Sequence, residues 1–292
     1  MTRVAVVANP TKSSNPRWGE RVLGVLDRTG LPGAAWLPTT AHDPGRGQTR
    51  QALADGAELV VACGGDGTVR AVGSVLAGTG VPMAVLPAGT GNLLARNLGI
   101  PLELEAAAMV AAAGRTGRID VARDGDGDCF LVMAGTGFDA VMLREASDRA
   151  KAWFGWPAYL GSGLRQLRAP LATFDLVLDG RHLRRRARGV LVGNVGELQG
   201  GLRLLDGARP DDGRLHVAVL APDGARDWLH LARRVGLGRR PAGAVLERWT
   251  ASEVTVRSTP AQPVQYDGDV LPPTAVLSVR VWPGALLLRL PD

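Results

Sequence analysis

A chain of 292 residues, 46% hydrophobic and 21% charged, carries enough apolar material for a substantial core, which excludes a disordered chain and points to two domains. A formal charge of +6 and a pI near 10.2 favour acidic partners, whether nucleic acid, nucleotide phosphates or an anionic membrane face, without choosing among them. The two cysteines, Cys63 and Cys129, exclude a disulfide framework and have no zinc-like spacing, so both are expected as packed thiols.

In chain order, "RVAVVANP" reads as a strand ending in a turn. Its apolar run breaks at Pro10, too early for a signal-peptide core, and no run is long enough to span a bilayer, so a cytoplasmic protein is expected. "ELVVACGGDG" and "VPMAVLPAGTG" are continuous apolar runs ending in glycines, the pattern of strands covered on both faces in a parallel sheet. Around them, "DPGRGQTRQALADGA" and "TVRAVGSVLAGTG" carry helical spacing, as at Val69, Val72, Val75 and Leu76. This βαβα pattern predicts an N-terminal doubly wound α/β domain. From about residue 119 onward, "CFLVMAGTG", "FDLVLDG", "ARGVLVGN", "RLHVAVLAP", "EVTVRST", "AVLSVRVWP" and "ALLLRLP" follow one another between turn signals. They predict a C-terminal antiparallel β-sandwich or barrel-like domain, interrupted by helical insertions near 139–168 and 226–237.

The stretch "CGGDGT" ends a buried strand in Gly64 and Gly65, where the missing Cβ lets the backbone turn sharply and approach a ligand. Amides at the following helix N-terminus suit a phosphate. Asp66 inside that loop repels a bare phosphate, and so argues for a metal ion between the two or for acid–base work. On its own the loop is equally a plain turn with Thr68 as a helix cap. Two further turns, Gly89, Thr90 and Gly91 with Asn92, and Asn9, Thr11, Lys12 and Ser13, reach the same carboxyl edge if the sheet is parallel, and that edge is where ligands bind in open α/β sheets. Lys12 either meets phosphates or faces solvent. There is no G-x-x-x-x-G-K-[ST], and no G-x-G-x-x-G follows the first strand, which excludes a P-loop enzyme and a dinucleotide fold of the usual kind.

"NPTK", "GGDGTV", "PAGTGNLLARNLGI", "GTGFDA", "GNVGELQGGLRLLDGARPDDGRLHV" and "YDGD" stand in the order seen in the bacterial diacylglycerol kinase and sphingosine kinase family of lipid kinases, which the chain resembles over nearly its whole length. The resemblance implies an ATP- and Mg²⁺-dependent kinase acting on a lipid hydroxyl, most simply that of diacylglycerol. It implies an ATP-binding α/β domain over 1–118, completed by a C-terminal strand at 285–292, and a β-sandwich over 119–284 that carries the lipid. Gly64, Gly65, Asp66, Gly67 and Thr68 would line the ATP phosphates, with Asn9, Thr11, Lys12, Thr40, Gly89, Thr90 and Asn92 around the nucleotide. Asp120 matches a carboxylate used near metal and phosphates. Asp212, with the carbonyls of Arg209 and Arg214, matches a structural Mg²⁺ site of hard oxygen ligands. "VQYDGDVL" resembles the family's D-G-E segment, whose acidic third residue is here Asp269, shorter by one methylene than the usual Glu. Asp269 is the expected general base, with Asp66 as rival; "YDGD" also reads as an ordinary hairpin turn. The remaining readings are a kinase of a soluble acceptor related to NAD kinase, and a catalytically silent ATP- or lipid-binding protein.

A lipid kinase needs an apolar slot and a basic docking face. Trp153, Phe154, Trp156 and Tyr159 either line such a slot or belong to the core. Arg181, Arg184, Arg185, Arg186 and Arg188 suit anionic headgroups or, equally, a strand edge protected by charge. Peripheral association with the inner membrane face is expected, no nucleic-acid motif is present, and an exposed edge strand could support a homodimer.

Overall fold

The computed structural model describes residues 2–137, 171–196, 204–205, 207–224, 226–227 and 245–292. The insertion expected at 139–168, all but the first two residues of that expected at 226–237, and the aromatic cluster from Trp153 to Tyr159 lie outside them. The chain divides into two compact units, Met1–Val121 with Gly284–Asp292, and Ala122–Pro283.

Unit 1 is a parallel sheet wrapped by helices. Strands β1 (Val4–Ala8), β3 (Leu59–Gly64) and β4 (Met83–Pro87) are apolar and buried almost throughout, as strands covered on both faces must be. β2 (Ala35–Pro38) flanks β1 on one side and β3 flanks it on the other, giving the order β4-β3-β1-β2. The strand order therefore reverses beside β1. Helix α1 (Trp18–Thr29) buries Val22, Val25 and Leu26, one stripe at helical spacing, against the face it shares with α5 (Leu104–Ala113). Gly30 stops α1 in the left-handed conformation, at φ 103°. Helices α2 (Arg46–Ala54) and α3 (Asp66–Leu76) pack on each other, and the short α4 (Leu93–Asn97) follows β4.

Strand β5 (Arg115–Asp124) and the long β14 (Asp269–Leu290) each begin in one unit and end in the other. In unit 1 the end of β14 runs parallel to β4, with Leu288 opposite Met83, and Ala285 accepts from the Gly78 amide. Asp120, 2% exposed on β5, accepts from the Gly284 amide at 2.7 Å. That bond pins β14 where it joins the unit.

Unit 2 is a β-sandwich. β12 (Leu246–Ala251), β11 (Leu215–Leu220), β10 (Gly189–Gly193), β7 (Met133–Gly137) and the second half of β13 (Glu253–Tyr266) pair antiparallel in that order, and β14 follows β13. The first half of β13 pairs instead with β8 (Ala172–Leu178), which pairs with β9 (Arg181–Ala187). Register shifts between Arg257 and Val264 let β13 pass from one set of partners to the other, the means by which strands turn sandwich corners. β6 (Cys129–Phe130) closes a hairpin on β5. Phe130, Phe174, Leu176, Val217 and Val256 fill the core between the inner faces.

Both cysteines are buried and unbridged, and burial pushes the Cys63 thiol up to about 12, so it is inert at neutral pH. No helix among the described residues is long and apolar enough to cross a membrane.

Candidate active site

The carboxyl ends of β1, β3 and β4 lie level. Ala8 sits opposite Cys63 and Gly64 opposite Pro87, so the turns after the three strands share one edge. Backbone bonds stitch them together: the Asn9 amide donates to Cys63 O at 2.9 Å and the Ala88 amide to Gly64 O at 2.9 Å. Because the strand order reverses at β1, the first two turns flank the crevice where ligands bind in open sheets.

The glycines are required here by proximity. A Cβ on Gly89 would stand 2.5 Å from Gly65 Cα, so the second and third loops touch backbone to backbone. A Cβ on Gly65 would lie 3.9 Å from Lys12 Nζ, which places the ammonium of the exposed Lys12 beside the glycine loop. A Cβ on Gly64 would strike Thr68, itself 4% exposed. Gly64, Gly65 and Thr68 are thus buried beneath the loop, while Gly67 is half-buried and Thr90 is exposed.

Asp66 does something the sequence did not show. Its carboxylate accepts from the amides of Asn92 at 2.9 Å and Leu93 at 2.6 Å, so it occupies the N-terminus of α4 as an internal anion. Asn92, left-handed at φ 49°, clamps Gly89 with both ends of its amide, accepting from Gly89 N at 2.9 Å and donating to Gly89 O at 2.8 Å. One carboxylate and one carboxamide therefore lock the second and third loops into a single surface. In the first loop Asn9 Oδ1 accepts from both the amide and the hydroxyl of Thr11, shaping the short turn that carries Lys12.

Thr40 follows β2, and its hydroxyl accepts from the Asp43 amide at 3.1 Å. Asp43 in turn accepts from the amides of Gly45, Arg46 and Gly47 at the start of α2. Burial opposes its ionisation and is the largest single influence, yet those amides and the charge of Arg50 together hold the carboxyl below the usual carboxylate range. A folded-state pKa below the unfolded one stabilises the fold above about pH 4 and loses that contribution as pH falls through the folded value. Asp43→Asn should therefore cost about 1 kcal/mol at pH 7, measured by urea unfolding, with the gap from wild type closing below about pH 4. The Asp-Pro-Gly run of Asp43, Pro44 and Gly45 just before the helix was the available signal for this arrangement.

In unit 2, "YDGD" is a two-residue hairpin. Asp267 and Gly268 take φ 49° and 93° between Tyr266 and Asp269, which pair across the strands. Asp269, at the first position of β14, is exposed. Asp267 is 4% exposed, and its carboxylate accepts from three successive amides, those of Leu131, Val132 and Met133, at 2.8 to 2.9 Å. The "YDGD" motif announces a turn at this residue but not its buried partners. Asp212 accepts from the Arg214 amide at 2.9 Å and lies 2.9 Å from His216 Nε2. Each carboxylate oxygen keeps further lone-pair capacity, and with the carbonyls of Arg209 and Arg214 the residues offer the hard oxygens that Mg²⁺ takes. The Arg209 side chain is turned to Asp211, at 3.1 Å.

The family model described as "Diacylglycerol kinase catalytic domain" matches residues 3–123, and that described as "YegS C-terminal NAD kinase beta sandwich-like domain" matches 132–289. A "Probable lipid kinase YegS-like" from Pseudomonas fluorescens is 32% identical over 247 residues, covering 83% of this chain and 81% of that protein. The chain belongs to the YegS-like lipid kinase family. A relative of the same description from Enterobacter sp. is 33% identical over 175 residues, and this chain spans 58% of its length. The match to a Synechocystis protein, 28% identical, spans 57% of that one. Among solved structures, a diacylglycerol kinase from Bacillus anthracis covers 99% of this chain and 96% of its own, with a TM-score of 0.73 at 20% identity. An NAD kinase from Archaeoglobus fulgidus in complex with ATP covers 99% and 93%, with a TM-score of 0.51 at 13% identity. At such identities these likenesses establish the shared fold, an α/β domain followed by a β-sandwich.

Proposed function

We propose that this member of the lipid kinase family transfers the γ-phosphoryl group of ATP to a lipid hydroxyl, with diacylglycerol as the first acceptor to test. The observation that carries this reading is the edge of unit 1, where three turns lie level, two glycine backbones touch, and Lys12 stands beside them. Close backbone and a nearby ammonium are what a polyphosphate chain requires. In this reading unit 1 is the ATP-binding domain and unit 2 carries the lipid.

Gly65, Gly67 and the first-turn amides of α3 cradle phosphate oxygens, while Lys12 balances their charge. Asn9, Thr11, Thr40 and Thr90 shape the remainder of the nucleotide site. Asp66 and Asn92 hold the loops in place rather than touching phosphate. Asp269 accepts the proton of the attacking hydroxyl, and its exposure leaves it accessible to a lipid acceptor. Mg²⁺, when bound with ATP, neutralises charge that develops during transfer. A structural Mg²⁺ would be held by Asp212 and the carbonyls of Arg209 and Arg214, and Asp120 has its structural partner in Gly284. The enzyme works from the cytoplasmic membrane surface.

Gly89→Ala should weaken ATP binding about tenfold and destabilise unit 1 by about 1 to 3 kcal/mol, because the backbone of Gly65 cannot yield as a flexible side chain would. Titration with a fluorescent ATP analogue checks the first and thermal unfolding the second.

The deciding experiment is ATP consumption by the purified chain with Mg²⁺, against mixed-micelle diacylglycerol, sphingoid base and ceramide, with NAD and an acceptor-free blank alongside. Turnover on one lipid class supports the proposal. Turnover on NAD alone, the acceptor suggested by the shared fold with an NAD kinase, would replace it. ATP binding with no acceptor-dependent turnover would make the chain a silent binding protein.

A further inference from the structure

Four of the five arginines of "RHLRRRARG", all but Arg188, fall on β9, which among the described residues pairs with β8 alone. Ala187 is buried, Leu183 packs against the core, and Arg185 is drawn inward to Glu247 at 2.9 Å and over the Trp249 ring at 5.6 Å. Alternation then sends Arg184 and Arg186 outward, and both are exposed. Register continues that outward face across three more strands, since Arg184 lies opposite Asp175, Asp175 opposite Arg257, and Arg257 opposite Val276. Further along β14 the same face carries Arg280, which pairs with Glu253 at 2.9 Å, and Trp282. Arg123 stacks on the Trp282 ring at 5.5 Å.

Five arginines, Arg123, Arg184, Arg186, Arg257 and Arg280, thus stand against two carboxylates, Asp175 and Glu253, on one face of unit 2. Two large hydrophobic residues, Val276 and Trp282, are each 38% exposed among them. Edge protection accounts for charge on β9 but not for charge on β13 and β14, which have neighbours on both sides, nor for an exposed indole. We infer that this face docks the protein on an anionic bilayer. Its guanidinium groups meet lipid phosphates, and Trp282 enters the headgroup layer, where an amphipathic ring is favoured. The charge is equally complementary to nucleic acid, but Arg123 already covers a face of the indole that base stacking would need.

The inference rests on the lipid kinase reading for its purpose and is tested apart from it. Sedimentation of the full chain with phosphatidylcholine vesicles, with and without phosphatidylglycerol, reads the partition. The triple variant Arg184→Ala, Arg186→Ala, Arg257→Ala should lose roughly 100-fold in partition onto anionic vesicles, about 5-fold per arginine. Trp282→Ala should lose binding that added salt does not remove. Both variants should melt near the wild-type temperature and turn over a short-chain, water-soluble acceptor at the wild-type rate. Wild-type partition of the triple variant, or equal binding of the wild type to neutral and anionic vesicles, would overturn the assignment. So would loss of oligonucleotide binding without loss of vesicle binding, which would make the face a nucleic-acid surface. Arginine-dependent partition by a chain that phosphorylates no lipid would uphold the docking face and remove the kinase reading; micellar turnover with arginine-independent partition would do the reverse.

Discussion

Asp269→Asn is expected to lower kcat on a lipid acceptor by roughly 100- to 10,000-fold while moving ATP affinity by less than about twofold. The amide cannot take a proton, but it fills the same space at the mouth of the hairpin, so binding should survive. Asp269→Glu restores the longer carboxylate and should keep most of the activity, unless the site has adjusted to the shorter reach. Asp66→Asn makes the comparison informative. Both Asp66 oxygens receive backbone amides, so an asparagine there sets an NH₂ group against an N–H and loosens the clasp between two loops. Its losses should appear in ATP affinity and melting temperature together. Wild-type kcat in Asp269→Asn would remove that residue from the chemistry.

Two positions earlier, Asp267→Ala should lower the unfolding free energy by about 3 to 5 kcal/mol, because three buried amides lose their acceptor at once. Urea denaturation followed by tryptophan fluorescence measures this, and Asp267→Asn, which keeps one acceptor oxygen, should lose less. A loss below about 1 kcal/mol in the alanine variant would mean that water replaces the carboxylate readily. Two acids of one hairpin are thereby given separate tasks, one holding β7 and one turned to solvent.

The α/β unit was legible because β1, β3 and β4 are continuous apolar runs closed by glycines, a combination few arrangements other than a covered parallel sheet satisfy. The glycine turns were legible as a set for the same reason: parallel strands bring their ends to one edge. Partners far apart in sequence were not legible. The sequence does not show that α4 supplies amides to Asp66, and Asp-Gly announces a turn at 267 without revealing where the acid points. Prolines misled the reading of the last strands. Pro260, Pro263, Pro272, Pro273 and Pro283 divide the sequence into short segments, yet β13 and β14 run through them, with register shifts in β13 around its prolines. Arg184, Arg186 and Arg257 join one face only through strand register, which composition does not encode.

The closing of unit 1 by residues 284–290 has a consequence for how the protein is made. Strands β1 to β4 leave the ribosome early, but the neighbour of β4 and the amide that Asp120 accepts arrive more than 160 residues later in synthesis. Until then β4 presents an apolar edge and a buried-type carboxylate lacks its donor, a state open to pairing with other chains. Unit 2 is inserted between β5 and the closing stretch of β14, so its folding must bring residue 284 back to β5 before the first unit can finish. A nascent chain stalled before residue 284 should engage chaperones through its first half, and the maturation of the nucleotide loops should keep time with the last strand rather than with their own synthesis.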